Sequence, residues 1–191
     1  DTLTEQPDLD VVGEAGDYGE LRALLRQQPC DVLVLDINLP GRSGLDVLHA
    51  LKEEASPIKV LIVSMYPEDQ YALRALRAGA YGYVNKGGDA AQIVAAVRTV
   101  AQGRKYVTPE MAQMLVENLT APVSEAAHEK LSDRELQTLV LIASGKRLAD
   151  IAEALTLSPK TVSVYRARVL EKLGLTNNSE MTVYAIRNGL V

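Results

Sequence analysis

The sequence predicts two domains of different fold class: a doubly wound α/β domain over residues 1–103 and an all-α domain of four helices over residues 131–191. Three observations carry this prediction. Short apolar runs alternate with helical patterns in the first part. Every segment after residue 130 has helical periodicity. Residues 104–130 contain Pro109, Pro122 and a stretch rich in Ser, Ala and Glu, which is typical of an interdomain linker.

Four short apolar runs predict the strands of a parallel sheet. They lie at residues 11–12, 31–36, 59–64 and 81–84. The second and third are dominated by unbroken Val, Leu and Ile, as in strands that helices cover on both faces. The helical patterns between the runs fall at Tyr18–Gln27, Leu45–Glu54, Glu68–Ala78 and Ala90–Gln102. This alternation predicts right-handed crossovers between neighbouring strands.

The helical domain is predicted from four periodic segments. They are Arg134–Ala143, Leu148–Leu155, Pro159–Leu173 and Glu180–Asn188. A glycine lies just beyond three of them, at Gly145, Gly174 and Gly189, where a left-handed residue commonly ends a helix.

Composition indicates an ordinary globular protein, because 47% of the 191 residues are hydrophobic and 24% are charged. No apolar run reaches the roughly 18–20 residues of a membrane helix, and no secretory leader is evident. A single cysteine, Cys30, excludes an internal disulfide and favours a reducing compartment. We therefore expect a cytoplasmic protein without a membrane partner.

Charge is distributed unevenly between the two parts of the chain. Residues 1–130 carry 12 Lys and Arg against 19 Asp and Glu, a net charge of −7. Residues 131–191 carry 8 against 6, a net charge of +2. The sign of this difference fits an acidic regulatory part and a mildly basic part that binds nucleic acid.

Three polar residues follow the ends of predicted strands: Asp36, Ser64 and, just beyond the last strand, Lys86. The carboxyl ends of parallel strands meet at one edge of an open sheet, where such sheets bind their ligands. We therefore expect the three side chains to converge. Asp36 could act as a nucleophile toward a phosphoryl group, with Ser64 donating a hydrogen bond and Lys86 supplying positive charge.

The segment DINLPG at residues 36–41, together with Ser64, Tyr83 and Lys86, resembles the receiver domain of two-component response regulators, which has a flavodoxin-like fold. The resemblance covers about residues 8–103. It implies that a sensor histidine kinase phosphorylates Asp36, that Ser64 and Tyr83 are switch residues, and that Lys86 binds the phosphoryl group. Mg²⁺ is the implied cofactor, held by the Asp36 carboxylate and the backbone carbonyl of Asn38. For Tyr83, packing at the strand edge is the alternative.

The chain departs from the receiver pattern at its start. Receivers begin with a strand that ends in two acidic Mg²⁺ ligands, and here that first strand is missing because the pair would lie before Asp1. Asp8 and Asp10 lie at the wrong end of the sheet, and Asp36 with one carbonyl is too few ligands for Mg²⁺. An absent segment and a degenerate receiver are both open explanations. In the first case, we expect this chain to take up little phosphate from a small-molecule donor.

A helix-turn-helix pattern occupies the middle of the second domain. The amphipathic segment Leu148–Leu155 is followed by a short break, and Ser158 and Pro159 then suit the N-cap and first position of the next helix. The predicted buried stripe of that helix consists of Val162, Val169, Leu170 and Leu173. The opposite face consists of Lys160, Ser163, Val164, Ala167, Arg168 and Glu171. A small, hydroxylated and basic face is typical of a helix that reads the DNA major groove.

Four segments of this domain are similar to the LuxR-type DNA-binding domain: residues 131–135, 150–152, 157–162 and 172–175. With a receiver, they indicate the NarL/FixJ subfamily of response regulators. The resemblance implies that Ser163, Val164 and Ala167 face the bases. It implies that Lys160, Tyr165, Arg166, Arg168 and Lys172 contact phosphates or the groove edge. Arg147 and Tyr165 differ from the residues common at these positions in the family. These differences bear on which DNA sequence the domain prefers and not on whether it binds DNA.

The predicted function is transcriptional regulation by a DNA-binding protein that phosphorylation of Asp36 controls. Double-stranded DNA, a histidine kinase, a second copy of the chain on paired half-sites and RNA polymerase are the expected partners. The alternative is a phosphorylation-independent regulator whose receiver responds to a partner protein or ligand. We do not expect an enzyme, since the sequence has no phosphate loop, nucleophile–base pair or cofactor fingerprint.

Overall fold

A computed structural model describes residues 2–66, 68–120 and 127–191, and for residues 69, 70 and 118–120 it describes the backbone alone. Contacts divide the chain into two compact units, residues 1–121 and 122–191. Among the residues described, no helix is long and apolar enough to cross a lipid bilayer.

The first unit alternates helices and strands, as predicted. Its elements are α1 (Tyr18–Gln27), β1 (Val32–Asp36), α2 (Gly44–Glu53), β2 (Lys59–Ser64), α3 (Glu68–Ala78), β3 (Gly82–Asn85), α4 (Ala90–Ala101) and α5 (Pro109–Thr120). The three strands form a parallel sheet in the order β1-β2-β3. Leu35 of β1 pairs with Ile62 of β2, which in turn pairs with Tyr83 of β3. The predicted doubly wound parallel fold is confirmed.

The central strand β2 carries the core of this unit, since every residue from Val60 to Ser64 is buried. On one face, Leu61 and Val63 pack with Val84 of β3 and with a buried stripe of α4. That stripe consists of Ala96, Val97 and Val100. Burial of each larger apolar side chain contributes about 1.5–3 kcal/mol, so the strand ends that carry the polar residues are firmly positioned.

The predicted strand at residues 11–12 is wrong. Within the described part of the chain, Val11 and Val12 belong to no ladder, and Val12 is 43% exposed. A strand needs a hydrogen-bonded neighbour, and no described strand pairs with the outer edge of β1. The preceding residues are joined to α4, since the Arg98 guanidinium donates to Asp8 at 2.7 Å and to Gln6 at 3.0 Å.

Residues 104–120, predicted as the first part of a linker, pack within the first unit. Tyr106 N donates to Tyr81 O at 2.8 Å, and Met111 of α5 is 1% exposed. A Cβ at Gly82 would lie 2.9 Å from Cβ of Tyr106, so this approach requires glycine. Pro109 begins α5, a position where proline is tolerated. Residues 121–126 of the predicted linker lie outside the described residues.

The second unit is helical, as predicted. A 3₁₀ turn (Ala127–Lys130) precedes α6 (Asp133–Ala143), α7 (Leu148–Ala154), α8 (Pro159–Leu173) and α9 (Asn178–Arg187). The buried apolar side chains between these helices include Leu136, Leu139, Ile151, Leu155, Val162, Val169, Met181 and Ala185. The 3₁₀ turn is held to α9, because His128 N donates to the Tyr184 hydroxyl at 3.1 Å. The predicted four-helix domain is confirmed.

Candidate phosphoacceptor site and DNA-binding helix

Of the three side chains expected to converge, the sheet brings Asp36 and Lys86 into contact, whereas the Ser64 hydroxyl is hydrogen-bonded to Tyr66 N. Asp36 ends β1, and Lys86 follows β3 on the far side of β2. Lys86 Nζ donates to Oδ2 of Asp36 at 2.5 Å. Both side chains are about one-third exposed, at 36% for Lys86 and 33% for Asp36, so a reactant can reach the carboxylate from solvent.

The loop after β1 holds the Asp36 carboxylate from its other side. Asn38 N donates to Oδ1 of Asp36 at 2.9 Å, so both carboxylate oxygens accept hydrogen bonds. The loop is tight because Gly44 N donates to Ile37 O at 2.8 Å. A Cβ at Gly44 would lie 2.2 Å from Asp36 O, so only glycine lets α2 begin this close to the strand end.

Ser64 and Tyr83 are joined through the backbone of Tyr66. Ser64 is fully buried, and its Oγ accepts from Tyr66 N at 3.1 Å. The hydroxyl of Tyr83, which is also fully buried, donates to Tyr66 O at 2.7 Å. Asn85 Nδ2 donates to the same carbonyl at 3.1 Å. The three side chains thus fasten the loop that follows β2.

Sequence reasoning missed two members of this arrangement. Asn85 ends β3 beside Lys86, and the rule that polar residues at strand ends converge could have found it. Tyr66 takes part through its backbone N–H and C=O, for which the residue type carries no signal.

The described residues do not suit Mg²⁺ by themselves. No group of three or more His, Cys, Asp or Glu side chains able to hold a metal occurs among them. Asp36 and the carbonyl of Asn38 fall short of the near-octahedral oxygen shell that Mg²⁺ requires. Asp8 is paired with Arg98, which donates a hydrogen bond to its carboxylate. This bond holds the pKa of the Asp8 carboxyl below its ordinary value.

The turn between α7 and α8 is capped as its sequence predicted. Ser158 is the N-cap of α8, and its Oγ accepts from Thr161 N at 3.1 Å. Thr156, in the turn, adopts a positive φ of 54°. Gly174 closes α8 in the left-handed conformation with a φ of 66°. These features fix both ends of the helix.

Helix α8 divides into a buried side and an exposed side. Val162 and Val169 are fully buried, and Leu170 and Leu173 are half-buried. The side chains predicted for the opposite face, namely Lys160, Ser163, Val164, Ala167, Arg168 and Glu171, are all exposed. Tyr165 and Arg166 lie half-buried at the border of this face. The helix therefore presents small, hydroxylated and basic groups to solvent.

Two of the predicted DNA-contacting cations already have protein partners. Lys172 Nζ donates to Glu135 Oε2 at 2.7 Å, and the Glu135 side chain is 3% exposed. Burial raises the pKa of Glu135, but the hydrogen bonds from Lys172 and Ser132 outweigh it and hold that pKa below its ordinary value. Arg166 Nε donates to Oδ1 of Asn178 at 2.6 Å. Sequence reasoning missed Glu135 and Asn178 because neither pair has helical spacing.

Comparison with known proteins matches both units to families. Residues 1–98 match the response regulator receiver domain, and residues 129–185 match the luxR family of bacterial regulatory proteins. The response regulator GacA of Pseudomonas aeruginosa is 36% identical over 190 residues, which cover 99% of this chain and 89% of GacA. The chain belongs to the NarL/FixJ family of two-component response regulators. The family predicted from the sequence is therefore confirmed.

Other relatives of this response regulator support the same family assignment. UvrY of Escherichia coli is 33% identical over 183 residues, covering 95% of this chain and 84% of UvrY. RcsB of Salmonella enterica serovar Typhimurium, solved bound to the promoter rprA with the phosphomimetic BeF₃⁻, is 25% identical. The match covers 96% of the regulator and 88% of RcsB, with a TM-score of 0.59. A LuxR-family regulator from Aurantimonas is 34% identical over 61% of this chain and 84% of its own, with a TM-score of 0.55.

Proposed function

We propose that this response regulator binds double-stranded DNA through the exposed face of α8 and that a sensor histidine kinase controls the binding by phosphorylating Asp36. One observation supports phosphorylation of Asp36 above all: at a solvent-accessible strand end, Lys86 Nζ lies 2.5 Å from Oδ2 of Asp36. A carboxylate there can meet a phosphoryl donor, and the neighbouring ammonium group offsets the charge that the donor brings.

Phosphoryl transfer to Asp36 requires the protein mainly to position the reacting groups. A carboxylate oxygen of Asp36 attacks the phosphorus of a phosphohistidine, a P–O bond forms, and the P–N bond breaks with its electron pair going to the imidazole. The new group carries close to two negative charges. Lys86 then moves from Oδ2 of Asp36 to a phosphoryl oxygen. The Ser64 hydroxyl donates to another phosphoryl oxygen, and this turn loosens its bond with Tyr66 N.

Tyr66 links this site to the switch we propose. Its carbonyl accepts from the Tyr83 hydroxyl at 2.7 Å, and its N–H is held by Ser64 at 3.1 Å. When Ser64 turns toward the phosphoryl group, the loop after β2 shifts and the contact with Tyr83 changes. Receiver domains generally bind Mg²⁺. Because Asp36 and Asn38 are too few ligands, we assign the metal no step in this chain.

On α8, we propose that one set of side chains contacts the DNA bases and another contacts the DNA phosphates. Ser163, Val164 and Ala167 face the bases, where Val164 is 45% exposed and suits a thymine methyl group. The residues that we propose to contact phosphates or the groove edge are Lys160, Tyr165, Arg166 and Arg168. Lys172 is already bound to Glu135, and we propose that it joins α8 to α6.

We propose that the regulator acts as a homodimer on paired half-sites and works in the cytoplasm, where its DNA is. Helix α9 supports a self-association role, since Val183 and Ile186 are 46% and 59% exposed on it. The RcsB complex with a promoter and a phosphomimetic supports the pairing of phosphorylation with DNA binding. RNA polymerase is a further proposed partner. We propose no catalytic turnover on an outside substrate.

Phosphate uptake tests the first half of the proposal. The regulator, preceded by a strand that ends in two acidic residues, is incubated with a small-molecule phosphodonor and Mg²⁺, and its intact mass is measured. We expect a gain of one phosphoryl group that Asp36→Asn abolishes and Ser64→Ala retains. Labelling that persists in Asp36→Asn would contradict the proposal.

The second candidate is a regulator that ignores phosphate and responds to a partner protein or ligand. The lack of three metal-ligating side chains in any one place among the described residues favours it. Asp36→Asn separates the two candidates, since it abolishes the cellular response to the signal only if phosphorylation controls the regulator.

A further inference from the structure

We infer that Asn178 is a positioning residue for DNA binding: it holds the Arg166 guanidinium so that its two terminal nitrogens can receive a DNA phosphate. The inference rests on the proposed function of α8 and adds a residue that no helix-turn-helix pattern indicated. It starts from one contact, in which Arg166 Nε donates to Oδ1 of Asn178 at 2.6 Å. The two residues lie on α8 and at the start of α9.

Capping of α9 does not explain the amide at position 178. The N-cap is Asn177, whose Oδ1 accepts from Glu180 N at 3.0 Å. Glu180 Oε2 in turn accepts from Thr176 N at 2.7 Å. The first turn of α9 is therefore already complete without the side chain of Asn178. Its amide oxygen accepts from Arg166 instead.

The chemistry of the acceptor matters because it is neutral. Arg147 is paired with the carboxylate of Asp150 at 3.0 Å, and Lys172 is paired with that of Glu135 at 2.7 Å. Within the part of the chain that the structure describes, Arg166 has no carboxylate partner, and only its Nε is bound. An amide orients the guanidinium without offsetting its charge. The full positive charge thus stays available to a phosphate, which Arg can bind through two parallel N–H groups.

Orientation has a measurable consequence. A long arginine side chain must lose rotamer freedom when it binds, and a side chain that is already held loses less. Removing Asn178 should therefore weaken DNA binding only through Arg166. A direct contact between Asn178 and DNA would weaken binding whether or not Arg166 is present. A double-mutant cycle distinguishes these cases.

The experiment uses the full chain and a fluorescein-labelled DNA duplex of mixed sequence, with affinity measured by anisotropy at several salt concentrations. We expect Arg166→Ala to weaken binding by about tenfold and Asn178→Ala by about threefold. Arg166→Ala should also reduce the slope of log affinity against log salt by about 0.9, the value for one lost phosphate contact. The double variant should bind as Arg166→Ala does. Asn178→Asp should bind more weakly than Asn178→Ala, since a carboxylate offsets the guanidinium charge.

Controls keep the result specific. Asn188→Ala, an exposed amide at the end of α9, should leave affinity unchanged, and thermal unfolding should show that each variant is folded. Equal weakening by Asn178→Ala with and without Arg166 would overturn the inference. No effect of Arg166→Ala would also overturn it, while an effect of Arg168→Ala would leave the proposed function standing. If no substitution on the exposed face of α8 changes affinity, the proposed DNA-binding function fails as well.

Discussion

Thr108 Oγ1 donates a hydrogen bond of 2.7 Å to Oε2 of Glu68. The bond joins the residue before α5 to the first residue of α3. Thr108 Oγ1 also accepts from Met111 N at 3.2 Å, which caps the first turn of α5. Since α3 begins two residues after Tyr66, the bond anchors α5 close to the loop that Ser64 and Tyr83 hold.

Loss of this anchor should loosen α5. Thr108→Val is expected to lower the free energy of unfolding by about 1–2 kcal/mol, because it removes the helix cap and the bond to Glu68. Amide hydrogen exchange should become faster in α5. Thr108→Ser keeps the hydroxyl and should behave as the wild type. Unchanged exchange in α5 of the Val variant would show that the bond does not hold the helix.

The pair of Glu135 and Lys172 should make stability depend on pH in the acid range. The folded-state pKa of Glu135 is below its ordinary value, so its stabilisation is present above the unfolded-state pKa and is lost as pH falls through the folded-state pKa. Glu135→Gln should cost about 1–3 kcal/mol at neutral pH, since it replaces the carboxylate that accepts from Lys172 and from Ser132 N with a neutral amide.

Urea unfolding at a series of pH values measures this effect. The difference between wild type and Glu135→Gln should shrink as pH falls below the ordinary range of a glutamate. Glu153→Gln, at an exposed glutamate of α7, is the matched control and should change stability little. A difference that stays constant down to the acid limit would refute the assigned role of the carboxylate charge.

The sequence predicted a contact correctly where the position of a residue in its strand or helix determines what it meets. Because polar residues at the ends of parallel strands converge, Asp36 and Lys86 could be predicted to meet. Helical periodicity predicted that Val162 and Val169 are buried and lie away from the exposed face of α8. Sequence reasoning could not find Glu135–Lys172, because the pairing of α6 with α8 is set by how helices pack and not by spacing along the chain.

Local patterns also failed where a distant partner decides the structure. Val11 and Val12 have β propensity, but no described strand pairs with them. The composition of residues 104–130 is typical of a linker, but residues 109–120 form a helix in which Met111 is buried. Tyr66 acts through its backbone, which its side chain does not predict.

Gly44 should tolerate no side chain. A Cβ there would lie 2.2 Å from Asp36 O, a backbone atom of the strand β1, which is paired with β2 and cannot move aside. Gly44→Ala is therefore expected to destabilise the receiver domain by about 3 kcal/mol. At Gly16 the nearest atom to an added Cβ is 3.4 Å away on the flexible side chain of Glu20, so Gly16→Ala is the control. Thermal unfolding of the two variants measures the difference, and equal melting temperatures would contradict the close approach.

Arg168 should contribute to DNA affinity mainly through charge. Its side chain is exposed on α8, so Arg168→Ala should weaken binding to duplexes of unrelated sequence by similar factors. The slope of log affinity against log salt should fall by about 0.9 if one phosphate contact is lost. Arg26→Ala removes the same charge from the exposed end of α1 and should leave the slope unchanged. Equal slopes for all three proteins would exclude a phosphate contact at Arg168.

Phosphorylation control of DNA binding is tested most directly by one affinity measurement. The regulator, preceded by a strand that ends in two acidic residues, is titrated onto a DNA duplex with and without beryllium fluoride and Mg²⁺. We expect the phosphoryl mimic to tighten binding by about tenfold, a coupling typical of allosteric proteins, and to have no effect on Asp36→Asn. The same affinity with and without the mimic, or an equal gain in Asp36→Asn, would contradict control through Asp36.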